Sequence, residues 1–361
     1  MDIGIFIPIG KNGWLISTTS PQYSPTFELN RKVTQAAERY GVDFVLSMIK
    51  LRGFGGKSGF WDEALDSFSL MSALAAVTSR IQLYATIPTL ALPPAIAARM
   101  TSTVDDVSQG RFGLNLITGW QKAEYEQMGL WPGEKHYTHR YDMLTEYITI
   151  MKELWETGRC TLRGEYYTMD DCRLGPLPSR KIPLVCAATS DPGIEFSAKH
   201  CDYNFCNGTP STNNPFAAKE NVSRMYEVAQ KTASALRALS NVMIIADETD
   251  ELAMKKWEHY KIGVDLEAID WRATQASKDQ AGTAGSHSLL HSNRDPLPHN
   301  GVRFIGSYET IAALLDEMST IPGLAGTMLT FDDFLIGIEQ FGTRIQPLMK
   351  CRQQRASIAA E

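Results

Sequence analysis

The sequence is short of the features that mark a secreted, membrane-spanning or metal-dependent chain. Its 361 residues include six cysteines, none spaced as CxxC, which argues against a zinc site or a thioredoxin-like motif. No apolar run reaches the roughly 18 residues of a membrane span. The first residues, MDIGIFIPIGKNGW, lack a basic segment leading into a long apolar stretch. No signal peptide is therefore expected, and the cytoplasm is the expected compartment. Positive charge is in deficit: 35 Lys and Arg against 41 Asp and Glu give a net charge of −6. A dedicated nucleic-acid binder should carry a basic excess or patch. The fingerprints GxGxxG, GxxxxGKS, GxSxG and HExxH are all missing, so neither a dinucleotide loop nor a covalent nucleophile is signalled. The seven histidines are scattered, and no metal site is read from them.

What is present is a soluble-protein composition, 43% hydrophobic and 21% charged, close to the globular average. Short apolar runs predict strands at 3–9, 43–48, 81–87, 111–118, 183–188, 203–206, 242–246 and 326–331. Helical patterns fall at 28–39, 67–77, 93–106, 141–155, 191–199 and 215–236, from 248 onward, at 311–318, and from 334. Strands alternating with helices imply right-handed βαβ units. Eight strands in this length favour a closed (β/α)8 TIM barrel with insertions, one domain over 1–361. Two stretches exceed a minimal barrel. Residues 11–25 (KNGWLISTTSPQYSP) form a lid-like connection after the first strand. Residues 275–301 are polar and read as a mobile insertion.

In such barrels the chemistry sits at the C-terminal ends of the strands. Ser190 precedes a helix beginning Asp-Pro-Gly, where free N–H groups accept either a serine cap or a phosphate. Arg140 and Tyr141 are expected to open the next helix upstream, as a phosphate contact or as surface residues. Asn115 is a polar residue within an apolar strand, so its amide must find partners in a network or on a ligand. Glu124 is either a ligand acceptor or an exposed acid, and Trp120 either a packing or a site aromatic. With no nucleophile in view, these residues suit an enzyme whose cofactor carries the chemistry.

Two long segments, SMIKLRGFGGK and NLITGWQKAEYEQMGLWPG, carry a resemblance that other segments extend along nearly the whole chain. The sequence resembles the flavin-dependent, bacterial-luciferase-like monooxygenases, and within them the pyrimidine monooxygenases that open the uracil ring. The resemblance implies reduced FMN at the barrel mouth, contacted by Ile49, Lys50, Asn115, Glu124, Arg140, Tyr141 and Ser190. It implies an oxygen pocket of Leu46, Met48, Thr86, Asn115 and Trp120; for Leu46 and Met48, ordinary barrel filling is the competing role. It also implies O2 as co-substrate, a separate NAD(P)H-dependent flavin reductase as supplier, and ring opening of uracil or thymine to ureidoacrylate in peracid or acid form. Related barrels often associate, so a homo-oligomer is in keeping with the family. The chain departs from the family pattern in places. It reads CAATSDPG where relatives read CAGQSDAG, and the segments around 207–220 and 275–301 diverge. Those departures leave room for a sibling activity on another amide, heteroaromatic or sulfonate, and for a flavin-binding protein without turnover.

Overall fold

The computed structural model describes residues 1–279 and 296–353. Its strands, in chain order, are β1 (Asp2–Phe6), β2 (Phe44–Leu46), β3 (Gln82–Pro88), β4 (Phe112–Ile117), β5 (Arg159–Arg163), β6 (Thr168–Arg173), β7 (Leu184–Cys186), β8 (Tyr203–Phe205), β9 (Ser211–Thr212), β10 (Arg237–Asp247), β11 (Val302–Ser307) and β12 (Leu324–Phe331). Eight of them, β1, β2, β3, β4, β7, β8, β10 and β12, pair in parallel around a closed ring. Those eight are the strands predicted from the apolar runs, and the ring is a TIM barrel.

Alternation along the strands explains why the ring closes over a solid floor. Phe44, Leu46, Tyr84, Val185, Phe205, Leu239 and Met328 form one buried cluster inside the barrel. Ile3, Ile5, Val45, Leu83, Ala85, Leu114 and Leu184 belong to the core outside it, beneath the helices. This is the two-residue period of a strand. Two glycines make the interior fit. Gly4 lies in register with Phe44, and a Cβ there would stand 2.2 Å from its ring. Gly113 lies in register with Tyr84, and a Cβ there would stand 2.4 Å from that ring.

The helices are α1 (Phe27–Arg39), α2 (Ser67–Ala76), α3 (Pro94–Ser108), α4 (Lys122–Glu126), α5 (His136–Thr157), α6 (Asp191–His200), α7 (Lys219–Lys231), α8 (Asp250–Ile262), α9 (Leu266–Ala276), α10 (Tyr308–Met318) and α11 (Phe334–Gln340). Side chains of Thr26, Asp66, Thr249, Asp265, Ser307 and Asp333 accept from the free N–H groups that begin six of them, the ordinary solution for helix starts.

Several boundaries differ from expectation. The helix expected from 248 is two helices, because Asp265 caps a fresh start at α9. The helix expected at 215–236 is confined to Lys219–Lys231. The helix expected to start at Arg140 and Tyr141 starts at His136, so both residues lie inside α5 rather than at its opening. The hairpin β5–β6 was not signalled, because its residues are mostly solvent-facing and form no apolar run. Strand β11 escaped notice beside the polar segment at 275–301. It pairs with the upper part of β10, Met243–Asp247, whereas β8 pairs with the lower part, Arg237–Leu239. A second strand, β9, continues outward from β11.

Residues 11–25 contain no helix or regular strand and are held at many points. Trp61 Nε1 donates to the Gly13 carbonyl at 2.6 Å, and Asn12 Nδ2 to the Ser58 carbonyl at 2.8 Å. Ser17 Oγ donates to the Tyr260 carbonyl at 2.7 Å, and Ile16 N to the Pro298 carbonyl at 2.7 Å. Of the expected insertion at 275–301, residues 280–295 lie outside the described residues. Its beginning completes α9, with Gln275 and Asp279 buried. No described helix is long and apolar enough to cross a membrane.

Candidate active site

The inward parity that fills the barrel floor also builds the layer above it. Tyr84 is followed two residues on by Thr86, Gly113 by Asn115, and Leu46 by Met48. Thr86 and Asn115 are register partners on β3 and β4. Asn115 Nδ2 donates to Thr86 Oγ1 at 3.0 Å, and Thr86 Oγ1 donates to the Ser47 carbonyl at 2.6 Å. The direction of this chain is fixed, because the Thr86 proton is committed to the carbonyl. Asn115 Oδ1 is buried and has no hydrogen-bond partner. A buried acceptor left unpaired is costly, and this one marks where a ligand N–H would be received. Ser67 supports the chain from below, accepting from Thr86 N at 2.9 Å and meeting the Ser47 hydroxyl at 2.5 Å.

Leu46 lies one layer lower, fully buried among the floor side chains. Met48 is at the rim. A Cβ on Gly10 would come within 2.8 Å of both its methyl group and the Trp61 ring. Trp120, half-buried, stacks on Phe54 with ring centroids 6.4 Å apart.

Lys50 and Glu124 form a buried ion pair of 2.8 Å, with side chains only 5% and 7% exposed. Gln121 Oε1 accepts from Lys50 at 2.6 Å, and Glu124 Oε1 accepts from Leu51 N at 3.0 Å. The ammonium also faces the rings of Phe54, Trp61 and Trp120 at 4.7, 5.6 and 5.5 Å, within cation–π range. Burial pulls Lys50 below its ordinary pKa, and Glu124 opposes that pull. Ile49 sits half-exposed just before it.

A second cluster gathers where α5 meets the start of α6. Ser190 has the extended backbone of an N-cap, yet its side chain makes no capping bond. The hydroxyl of Tyr141 crosses Gly193, where a Cβ would stand 2.4 Å from it. Burial pushes Tyr141 up to about 12, with Arg140 and Ser190 acting in the opposite direction. Arg140 pairs with Asp279 at 2.7 Å. That pair is incomplete: Arg140 Nε and Asp279 Oδ1 are both buried without partners. The loop at 188–191 is clamped by neighbours. Asn204 bonds both the N–H and the carbonyl of Ala188, at 3.0 and 2.9 Å. Arg224 bonds the Thr189 carbonyl at 2.8 Å and pairs with Asp191.

Reasoning from sequence missed the partners. Gln121 on Lys50 and Asp279 on Arg140 are distant in sequence; Phe54 and Trp61 lie close to Lys50 in the chain, but nothing in their spacing signals that their rings face its ammonium. His136 Nε2 donates to the Gly119 carbonyl, 2.9 Å away. No group of metal-ligating side chains occurs among the described residues. A cavity of about 360 Å³ lies at the opposite end of the barrel, lined by Asp2, Phe44, Tyr84 and Tyr203 among others. It faces the N-terminal ends of the strands, and none of the candidate site residues lines it.

A family model described as luciferase-like monooxygenase matches residues 1–320. The chain belongs to this family. It is 54% identical to "Pyrimidine monooxygenase RutA" of Klebsiella pneumoniae subsp. pneumoniae over 364 aligned positions, covering 100% of this chain and 99% of the relative. It is 54% identical to the protein of that name from Rhizobium rhizogenes, covering 98% and 97%. Solved structures share the fold at low identity. Riboflavin lyase RcaE superposes with a TM-score of 0.82 at 18% identity, over 98% of this chain and 92% of that one. Long-chain alkane monooxygenase LadA superposes at 0.77 and 19% identity, over 99% and 92%. The chain is thus a flavin-dependent monooxygenase, working with a flavin and O2.

Proposed function

We propose that this chain opens the pyrimidine ring of uracil or thymine by oxidative cleavage of an amide C–N bond, giving ureidoacrylate in peracid or acid form. The observation that carries the reading is full-length identity of 54% to pyrimidine monooxygenases. Reduced FMN and O2 are the co-reactants, with the flavin reduced by a separate NAD(P)H-dependent reductase. A cytoplasmic location and self-association are in keeping with this role.

The residues present fit FMN. The unpaired Asn115 Oδ1 suits a donor on the polar edge of a flavin ring. The uncapped start of α6, with Ser190 and Tyr141 beside it, suits a phosphate, because free N–H groups and the helix dipole both favour an anion. Arg140 adds a cation there, with its Nε still available. Bound reduced flavin supplies the activation of O2. The chain's own part is to orient and to exclude water. Lys50 and Glu124 neutralise each other beneath the mouth, and Glu124 fixes the backbone at Leu51. Met48, Phe54, Trp61 and Trp120 form an apolar surround in which polar contacts gain strength. Thr86 holds the Asn115 amide in one orientation.

The test is an anaerobic mixture of protein, reduced FMN and uracil exposed to labelled O2, with products read by mass spectrometry. A ring-opened product carrying the label is expected. Unchanged uracil alongside oxidation of another amide would move the substrate class, and FMN binding without any oxygenation would overturn the enzymatic reading. Asn115→Ala is expected to lower kcat by about 100-fold or more, the scale of losing one preorganised polar contact, with an unchanged circular dichroism spectrum.

A further inference from the structure

Most of the buried or half-buried guanidinium groups here have hydrogen-bond partners. Arg111 donates to four oxygens, three of them carbonyls. Arg140 pairs with Asp279. Arg303 donates to the His299 and Gly301 carbonyls and lies 4.8 Å over the Trp257 ring. Arg272, half-buried on α9, differs. Its guanidinium lies 5.9 Å from the Phe54 ring centroid and has no hydrogen bond or carboxylate partner among the described residues. Phe54 is the ring that also meets Lys50 and stacks on Trp120, so Arg272 lies beside the aromatic group around Lys50.

His299 lies close enough to Arg272 for that charge to act on it. Its backbone is fixed: the preceding Pro298 carbonyl accepts from Ile16 N at 2.7 Å, and its own carbonyl accepts from Arg303. Its ring packs where a Cβ on Gly301 would stand, 2.8 Å from Cε1. Nδ1 is buried and has no partner. Burial and the nearby Arg303 and Arg272 push His299 down to about 3, so the ring is neutral at working pH. A neutral imidazole offers one N–H and one lone pair.

We propose that Arg272 and His299 read the amide edge of the substrate, Arg272 donating to a ring carbonyl oxygen and His299 accepting from the adjacent ring N–H. The inference rests on the pyrimidine reading and deepens it. An unpartnered guanidinium alone would suit a carboxylate or sulfonate. A neutral acceptor beside it does not, because an anion has no proton to give. A cyclic –CO–NH– edge satisfies both groups, and pyrimidine-diones carry such edges. Lys50 does not disturb this choice, since Glu124 neutralises it.

The test compares wild type with Arg272→Met, Arg272→Lys, His299→Leu and His299→Gln, using uracil, 1-methyluracil and 3-methyluracil. Arg272→Met is expected to raise KM for uracil about tenfold or more, as for loss of a hydrogen bond from a charged donor. Oxidised FMN should bind as before by fluorescence quenching, and kcat should fall less than KM rises. Wild type is expected to discriminate against one N-methyluracil, and His299→Leu to lose that discrimination while His299→Gln keeps part of it. Should the Met or Leu variant fail to fold, the Lys and Gln variants carry the comparison, with smaller expected changes in the same direction. KM within twofold of wild type in the folded Arg272 variants, or methyl discrimination unchanged in the folded His299 variants, overturns the proposal. Wild type that opens no pyrimidine would instead overturn the function reading, so the two failures are separable.

Discussion

Lys50 and Glu124 lie 74 positions apart and meet as a pair almost sealed from water. Such a pair is weak evidence for stability, because desolvation offsets attraction, yet removing one partner strands the other. Lys50→Met should therefore destabilise the protein by about 3–5 kcal/mol. Lys50→Met with Glu124→Gln should recover part of that loss, because no charge is then left alone. Urea titrations of the two variants measure the difference. The sequence showed both residues as site candidates but not their pairing, since nothing local to either residue encodes the other. Asn115 was more legible. A lone amide in the strand RFGLNLIT must answer for its polar atoms, and its unpaired Oδ1 is that debt made visible.

At the scale of elements, β7, the turn after it and α6 act as one unit. Ser190 was readable as a helix start from the Asp-Pro-Gly that follows. Which partner its N–H groups serve was not readable, because the helix that crosses them, α5, comes from fifty residues earlier. The packing there is tight: Gly193 passes beneath the Tyr141 hydroxyl and beside Ala188. Gly193→Ala should displace Tyr141 and weaken FMN binding roughly tenfold, the scale of one lost polar contact. A flavin fluorescence titration reads the affinity, and an unchanged thermal midpoint would place the effect in the site. The backbone of Ala188 and Thr189 is held by Asn204 and Arg224.

For the whole molecule, stability should fall on the acid side through His299. Its folded-state pKa of about 3 lies below the ordinary 6.5, so between those values the unfolded chain binds the extra proton. Stability then rises with pH across that window and is lost as pH falls through it. His299→Gln should flatten this slope in urea midpoints measured between pH 6.5 and pH 4. The barrel itself was legible because its eight strands are apolar on both faces and stand out as runs. The strands outside the ring were not, since β5 and β6 face solvent and β9 is two residues long.

The fork at β10 sets apart two kinds of inheritance. Its lower half, with β8, completes the hoop; its upper half leans on β11, a piece delivered from a distant part of the chain. Changes at the brim are therefore expected to leave the hoop beneath intact. Of the segments expected from the resemblance to diverge, 207–220 contains β9 and 275–301 leads into β11. Appetite for new guests is expected to evolve there first, while the vessel that holds the flavin stays as it was.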